Sequence, residues 1–199
     1  MEHNNVFINL KHDPITDIKS FSNCDPTQKF NPEGVKPVMI DFIYPEVPFP
    51  PKTIYQEFGE ENIKKMVFHH HNLLKKSFLG HLFSQDEKMF EIVTNRTAEF
   101  FMEALGAPER YTSQHGHPHL RSRHFPFTID EQARDIWLMF YKKTLKEVDF
   151  PKEYLKDFWE WIESLSLRMI NRRTMMEAPK RYPYKDIAHE FEKGEKDEN

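Results

Sequence analysis

Apolar residues recur at helical spacing through most of the chain. Ile63, Met66, Val67, His70, Leu73 and Leu74 fall on one face of a helix predicted from about Glu60 to Ser77, with Lys64, Lys65, Lys75 and Lys76 on the other side. The run His69-His70-His71 is embedded in that helix. His70 lies one turn beyond Met66 and Val67, and His71 one turn beyond Val67, so at least one of them points inward. A break at Phe78-Leu79-Gly80 leads to a second helix from roughly Asp86 to Leu105, with Phe90, Val93, Thr97, Phe100, Phe101 and Ala104 as its inner face. Gly106 and Pro108 end it, glycine as the cap and proline just beyond. Residues 109–129 hold no helical period beyond a turn, and Pro126 stops a short helix at Phe125. The next helix opens at Thr128–Glu131, capped by Thr128 or Asp130, and presents Ala133, Ile136, Trp137, Phe140, Tyr141, Thr144 and Leu145. After Asp149-Phe150-Pro151, a last long helix carries Tyr154, Phe158, Trp161, Ile162, Leu165, Leu167, Met169 and Ile170.

The two ends read differently. Proline recurs from Pro14 to Pro51, which predicts an irregular arm over residues 1–52. Its apolar stretch Val38–Phe49 is expected to lie on the folded body, with Ile40, Phe42, Ile43 and Phe49 as candidate cover. Residues 174–199 read as a polar C-terminal tail, and its charged end, residues 192–199, is expected to be disordered. The helical body is then 53–173.

Composition narrows the class. With 18 Phe and only 6 Gly in 199 residues, helices are favoured over a turn-rich β fold. A formal charge of −4 gives no attraction to nucleic acid or to an acidic membrane surface. The single cysteine, Cys24, excludes an internal disulfide framework. No apolar run approaches the ~20 residues of a membrane span and no signal-peptide core opens the chain, so a cytoplasmic protein is expected.

Histidine carries the candidate chemistry. The chain holds 11, concentrated at 69–71 and 115–124, while a Gly-rich phosphate loop, a Gly-x-Ser-x-Gly elbow and a Cys-x-x-Cys pair are missing. Neutral imidazole ligates metals and haem iron. His115-Gly116-His117-Pro118-His119 alternates as a chelate does, but a closed zinc site needs further ligands. Clustering alone leaves haem, zinc and non-haem iron open.

Longer landmarks separate them. Gly106-Ala107-Pro108, Tyr111, Gly116-His-Pro-His-Leu-Arg-Ser-Arg-His-Phe-Pro-Phe127 and Ala133-Arg-Asp-x-Trp-Leu138 stand in one order and spacing. The set resembles the group II truncated haemoglobins over about residues 55–172. That resemblance implies an all-α fold, a truncated globin-like helical sandwich around a non-covalent b-type haem, with an extended loop before the proximal helix. By position, His124 resembles the proximal iron ligand and Trp137 the tryptophan over the distal pocket. Phe83 resembles the aromatic wedged against the haem, and Val93 and Thr97 the two distal positions of the following helix. Arg96, Tyr111 and Arg121 are candidates for the haem propionates, arginine because its planar fork suits carboxylates.

The chain departs from the family where a distal tyrosine is usual. Alignment through the start of the first helix puts His71 there, with a one-residue deletion before Phe83; without the deletion His70 takes the place. Either imidazole could donate to bound oxygen or ligate iron itself, and reach favours the donor role. The implied function is binding of a diatomic gas (O2, NO or CO), for oxygen binding, sensing or nitric oxide detoxification. A distal histidine could also support peroxidase-like chemistry. Nitric oxide turnover would need an external reductase, since no flavin or nicotinamide domain is present. The rival expectations are a non-haem metal protein using the histidine clusters and a haem-free globin-fold interaction module.

Overall fold

The computed structural model describes residues 44–192, and every regular element among them is helical. The α-helices are α1 (Ile54–Phe58), α2 (Glu60–Lys75), α3 (Glu87–Ala104), α4 (Tyr111–His115), α5 (Leu120–His124), α6 (Glu131–Glu147), α7 (Leu155–Met169) and α8 (Tyr184–Glu192). Short 3-10 turns stand at Phe78–Leu82 and Lys152–Tyr154. α2 packs on α3 and α6, α6 on α7, and α7 also receives α5 and α8.

Local chemistry sets the helix ends. The Asp86 carboxylate accepts the Met89 amide at 2.7 Å and starts α3, and the Asp130 carboxylate accepts the Ala133 amide at 2.8 Å and starts α6. Asp130, not Thr128, is therefore the cap of α6. At the end of α3, Gly106 has φ +119°, and a Cβ there would overlap the Lys52 carbonyl oxygen. That close crossing lets Lys52 Nζ donate to the last carbonyls of α3, Glu103 at 3.3 Å and Ala104 at 3.0 Å. The chain before α1 is thus clamped to the helix end, and Val47 enters the main core. Tyr44 stands against the Arg168 guanidinium, 5.5 Å from its ring centroid. Phe49, expected to cover the body, is 49% exposed. Ile40, Phe42, Ile43 and Cys24 lie outside the described residues.

Aromatic rings fill the centre. Phe101 of α3 meets Tyr141 of α6 at 6.0 Å and Trp161 of α7 at 5.3 Å, while Phe158 touches Trp161 and Phe150. Each such buried side chain stabilises the fold by about 1.5–3 kcal/mol.

The buried face of α3 differs from its expected one. Phe90, Thr94, Ala98, Phe101 and Met102 are buried, while Val93 is 46% exposed and Thr97 half-buried. Packing against α2 selects the 90/94/98/101 line, and the adjacent 93/97 line stands open beside it.

The polar C-terminal segment is ordered against the body. Residues 174–192 fold back onto the body, and only the charged end beyond Glu192 lies outside the described residues. The docking is polar at its centre. Glu163 of α7, fully buried, accepts from Arg134 Nη2 at 2.6 Å, from Arg181 Nη2 at 2.8 Å and from the Tyr182 amide at 3.1 Å. Around it, the Trp159 indole donates to the Tyr182 carbonyl at 2.6 Å, Ile187 is buried, and Lys142 pairs with Glu190 at 2.6 Å. This cover explains why α7 is buried on nearly all sides, its polar Glu163, Ser164 and Ser166 included. Composition reads the segment as solvated because its charges are numerous; their partners are on α6 and α7.

Candidate functional site

The side chains singled out in the sequence come from α2, α3, α4, α5, α6 and the turn before α3. His124 closes α5. Its Nδ1 donates to the Leu120 carbonyl one turn earlier at 2.6 Å, which leaves Nε2 with its lone pair. Burial pushes the His124 pKa down, so the imidazole is neutral at ordinary pH. Asn171 holds the backbone just after it, donating to the carbonyls of His124 at 3.0 Å and Phe127 at 2.8 Å and accepting the Ile129 amide at 3.0 Å. That brace comes from the end of α7, 47 residues away from His124, and carries no local sequence signal.

Two adjacent histidines of α2 have different surroundings. His70 is 0% exposed. Its Nε2 donates to the Trp137 carbonyl at 3.1 Å, its ring lies 3.6 Å from that of Tyr141, and its buried Nδ1 has no hydrogen-bond partner. His71 is 9% exposed. Its Nδ1 lies 3.1 Å from the Thr94 hydroxyl, and its ring meets Phe83 at 5.6 Å and Phe90 at 6.4 Å. Among the described residues nothing bonds its Nε2. Burial lowers the His71 pKa to about 4, with His124 adding a smaller push in the same direction, so the two rings lie within electrostatic range of each other. Burial likewise lowers His70 well below the ordinary histidine value.

Trp137 stands edge-on to His70 at 5.3 Å and to Tyr141 at 4.4 Å, half-buried between the two hydrophobic clusters. Phe83 packs on Phe90 at 6.2 Å. Val93 and Thr97 share one edge of α3, where the Thr97 hydroxyl donates to the Val93 carbonyl at 3.1 Å. Val93 and Phe127 are apolar yet open to solvent, Phe127 at 42%.

The three propionate candidates fare differently. Arg96 is exposed on α3. Tyr111 is buried, with its ring on Phe100 at 5.8 Å and on His115 at 5.2 Å. Arg121 turns its Nη1 to the carbonyls that end α7, those of Arg168 and, at 3.3 Å, Ile170. That work caps a helix C-terminus, where a cation is favoured. His115 pairs with Glu99 at 3.4 Å, and the His119 amide donates to His117 Nδ1 at 3.2 Å within the turn that leads into α5. Among the described residues no group of three or more His, Cys, Asp or Glu side chains could hold a metal ion.

This donor set fits a haem. One neutral imidazole with a free Nε2, a second neutral imidazole within electrostatic range, and apolar side chains left open on α3 and just after α5 are what a planar apolar cofactor with one axial ligand needs.

Comparison with known proteins agrees. Residues 53–171 match the bacterial-like globin family. A group 2 truncated haemoglobin of Bacillus subtilis is 32% identical over 124 residues, covering 59% of this chain and 88% of its own. The crystal structure of phosphate-bound Hell's gate globin IV superposes with a TM-score of 0.74 at 49% identity, over 76% of this chain and 95% of that one. A haemoglobin from the thermophilic phototroph Chloroflexus aurantiacus superposes at 0.56 with 30% identity, over 60% and 98%. These relatives imply haem and the binding of a diatomic gas such as O2. No helix among the described residues is long and apolar enough to cross a membrane.

Proposed function

Since this chain belongs to the bacterial-like globin family, we propose that it binds a b-type haem through His124 and holds a diatomic ligand beneath His71. The observation that carries this is the His124 tautomer: Nδ1–H is held by the Leu120 carbonyl, so Nε2 is the free donor atom. The haem would supply reversible ligand binding and electron transfer. Attachment is non-covalent, because the one cysteine, Cys24, cannot form a Cys-x-x-Cys-His motif.

The chain's own residues set the environment. Asn171 fixes the peptide that follows the proximal ligand. Phe83, Val93 and Phe127 keep water from the cofactor. His71 acts as the distal donor in preference to His70, because His70 spends its Nε2–H on the Trp137 carbonyl and is sealed by Tyr141. A neutral N–H in a water-poor pocket stabilises a partly negative bound O2, and a hydrogen bond of that kind is worth about 1.5–3 kcal/mol. Arg96 is the propionate partner, since Arg121 is engaged at the end of α7. For nitric oxide turnover an external reductase would return the electrons.

Oxygen binding or sensing therefore leads, with nitric oxide detoxification as a coupled use. The test is the spectrum of the full-length protein reconstituted with haemin. A Soret band with five-coordinate ferrous features is expected, and His124→Ala should abolish stable haem retention. A protein that takes up no haemin, or a His124→Ala variant with an unchanged Soret band, sinks the proposal. Hell's gate globin IV is phosphate-bound, and for this chain we propose an oxyanion as a second ligand class, with the His71 N–H as its donor. Titrating the ferric protein with phosphate and following the Soret band reads that directly.

A further inference from the structure

Thr94 was no part of the pattern that singled out the pocket, yet its hydroxyl decides what His71 can do. It is fully buried on α3, and its Oγ1 lies 3.1 Å from His71 Nδ1. A threonine within a helix commonly returns its hydroxyl proton to a carbonyl one turn earlier. Thr97, three residues further along α3, does this with the Val93 carbonyl at 3.1 Å. Thr94 has no such bond among the described residues, so His71 Nδ1 is the one acceptor its proton has.

Two arrangements are possible for the pair. If Nδ1 carried the ring proton and donated to Oγ1, the Thr94 O–H would be buried with nothing to accept it, and the open Nε2 would be a bare acceptor. If the Thr94 O–H donates to a bare Nδ1, the hydroxyl is satisfied, the ring proton sits on Nε2, and Nε2–H faces the open side. Leaving a buried hydroxyl proton unpaired is the costlier state by at least tenfold in population, about 1.4 kcal/mol. We propose that Thr94 is a positioning residue that fixes His71 in the Nε2–H tautomer, making the distal imidazole a hydrogen-bond donor and withholding the lone pair that could ligate iron. The ligand class that this selects is one with negative charge on the atom beneath His71, such as bound O2; carbon monoxide, nearly apolar when bound, gains little. The selection step rests on the reading of His71 as the distal residue, while the tautomer itself does not.

The His70 ring makes the comparison internal to the helix. There the Trp137 carbonyl, which can only accept, also draws the proton to Nε2, but it faces protein. In His71 the same tautomer is enforced from the opposite nitrogen by a group that can donate, so that the proton faces outward. Only the second arrangement offers a donor to a ligand.

The test reads the ring first and the ligand second. Full-length, haem-free protein labelled with 15N at histidine is studied by ring nitrogen–proton correlation near neutral pH, alongside Thr94→Val, which is close in shape and lacks the hydroxyl, and Thr94→Ser, which keeps it. The His71 ring should be a single Nε2–H tautomer in wild type and Thr94→Ser, with the preference reduced about tenfold in Thr94→Val. In the haem-loaded proteins, O2 dissociation should quicken about tenfold in Thr94→Val and return toward wild type in Thr94→Ser, while CO dissociation changes less than threefold. A wild-type ring protonated on Nδ1 overturns the proposal without relying on any variant's stability or on haem, and the same tautomer preference in a folded Thr94→Val overturns it as well. The expected tautomers with unchanged O2 dissociation would leave Thr94's hold on the ring standing and refute His71 as the ligand's donor.

Discussion

The buried charge cluster under the C-terminal segment makes a strong demand on stability. Glu163 and Arg134 are both buried, their ion pair measures 2.6 Å, and Glu163 also receives Arg181 and the Tyr182 amide. Arg134 has further anchors in the Ser166 hydroxyl at 2.9 Å and the Lys180 carbonyl. Glu163→Gln keeps the shape and removes the charge. It would turn an amide N–H₂ toward guanidinium donors and leave the buried Arg134 cation with only the half-exposed Asp135 carboxylate, at 3.4 Å, as counter-ion. Breaking a buried pair in this way costs about 3–5 kcal/mol, whereas removing both charges for apolar residues of similar volume is close to neutral. For a chain of this size that corresponds to a fall in Tm of roughly 6–20 °C. Urea denaturation of the full-length protein, followed by far-UV circular dichroism, measures the free energy. Limited trypsin digestion at Lys180 and Arg181 measures release of the segment, since α8 is held through Arg181 and Tyr182. Glu163→Gln should lose stability by that amount and be cut much faster, and the double variant Arg134→Leu/Glu163→Leu should recover most of the loss. A Glu163→Gln variant within 1 kcal/mol of wild type and no more readily cut would refute the view that this pair pins the segment; the threshold is well below the range expected for a buried pair.

Other outcomes follow from single contacts. His71 has a folded pKa of about 4 against 6.5 for a free histidine, so its contribution to stability is complete above pH 6.5 and is lost as pH falls toward 4. Against a His71→Gln reference, haem-free protein should lose roughly 3 kcal/mol more over that interval, and parallel pH–stability curves would refute it. Glu131 is held at about 2: burial pushes its pKa up, but hydrogen bonds from Thr174 and Arg173 outweigh that. Its contribution is complete above pH 4.5 and is lost as pH falls through about 2, so Glu131→Gln should flatten the acid limb of the stability profile, and an unchanged acid limb would refute it. Gly106→Ala must overlap the Lys52 carbonyl at a positive φ and should destabilise by at least about 2 kcal/mol, read as a lowered urea midpoint. Trp137→Phe removes the edge contact to His70 and Tyr141, and should quicken O2 dissociation if the indole N–H reaches the ligand; an unchanged rate would limit Trp137 to packing.

The helices were legible because their signals are short-range. The apolar period of Ile63, Met66, Val67 and Leu74, the caps Asp86 and Asp130, and the breaks at Gly106 and Pro151 each act within a few residues. The same holds for the stretch around His124, whose own helix turn supplies the carbonyl that orients it. Two features were not legible: which face of a helix packs, and that a polar segment docks. Val93 stands open beside the packed line of α3, because α2 covers the neighbouring line. Residues 174–192 look solvated by composition and fold nonetheless, because α6 and α7 present Arg134, Glu163 and Trp159 to them.

The sequence by itself determined the helical class and the four long helices, which follow from periodicity and caps; the candidate proximal histidine rests on the resemblance of one dense motif to the group II truncated haemoglobins. Tertiary structure decided how the adjacent histidines His70 and His71 are each partnered, and where Arg121 spends its guanidinium. Those answers depend on partners 67, 23 and 47 residues away. A hydrogen bond is made or lost over a few tenths of an ångström, and no local pattern carries the distance between two helices to that accuracy.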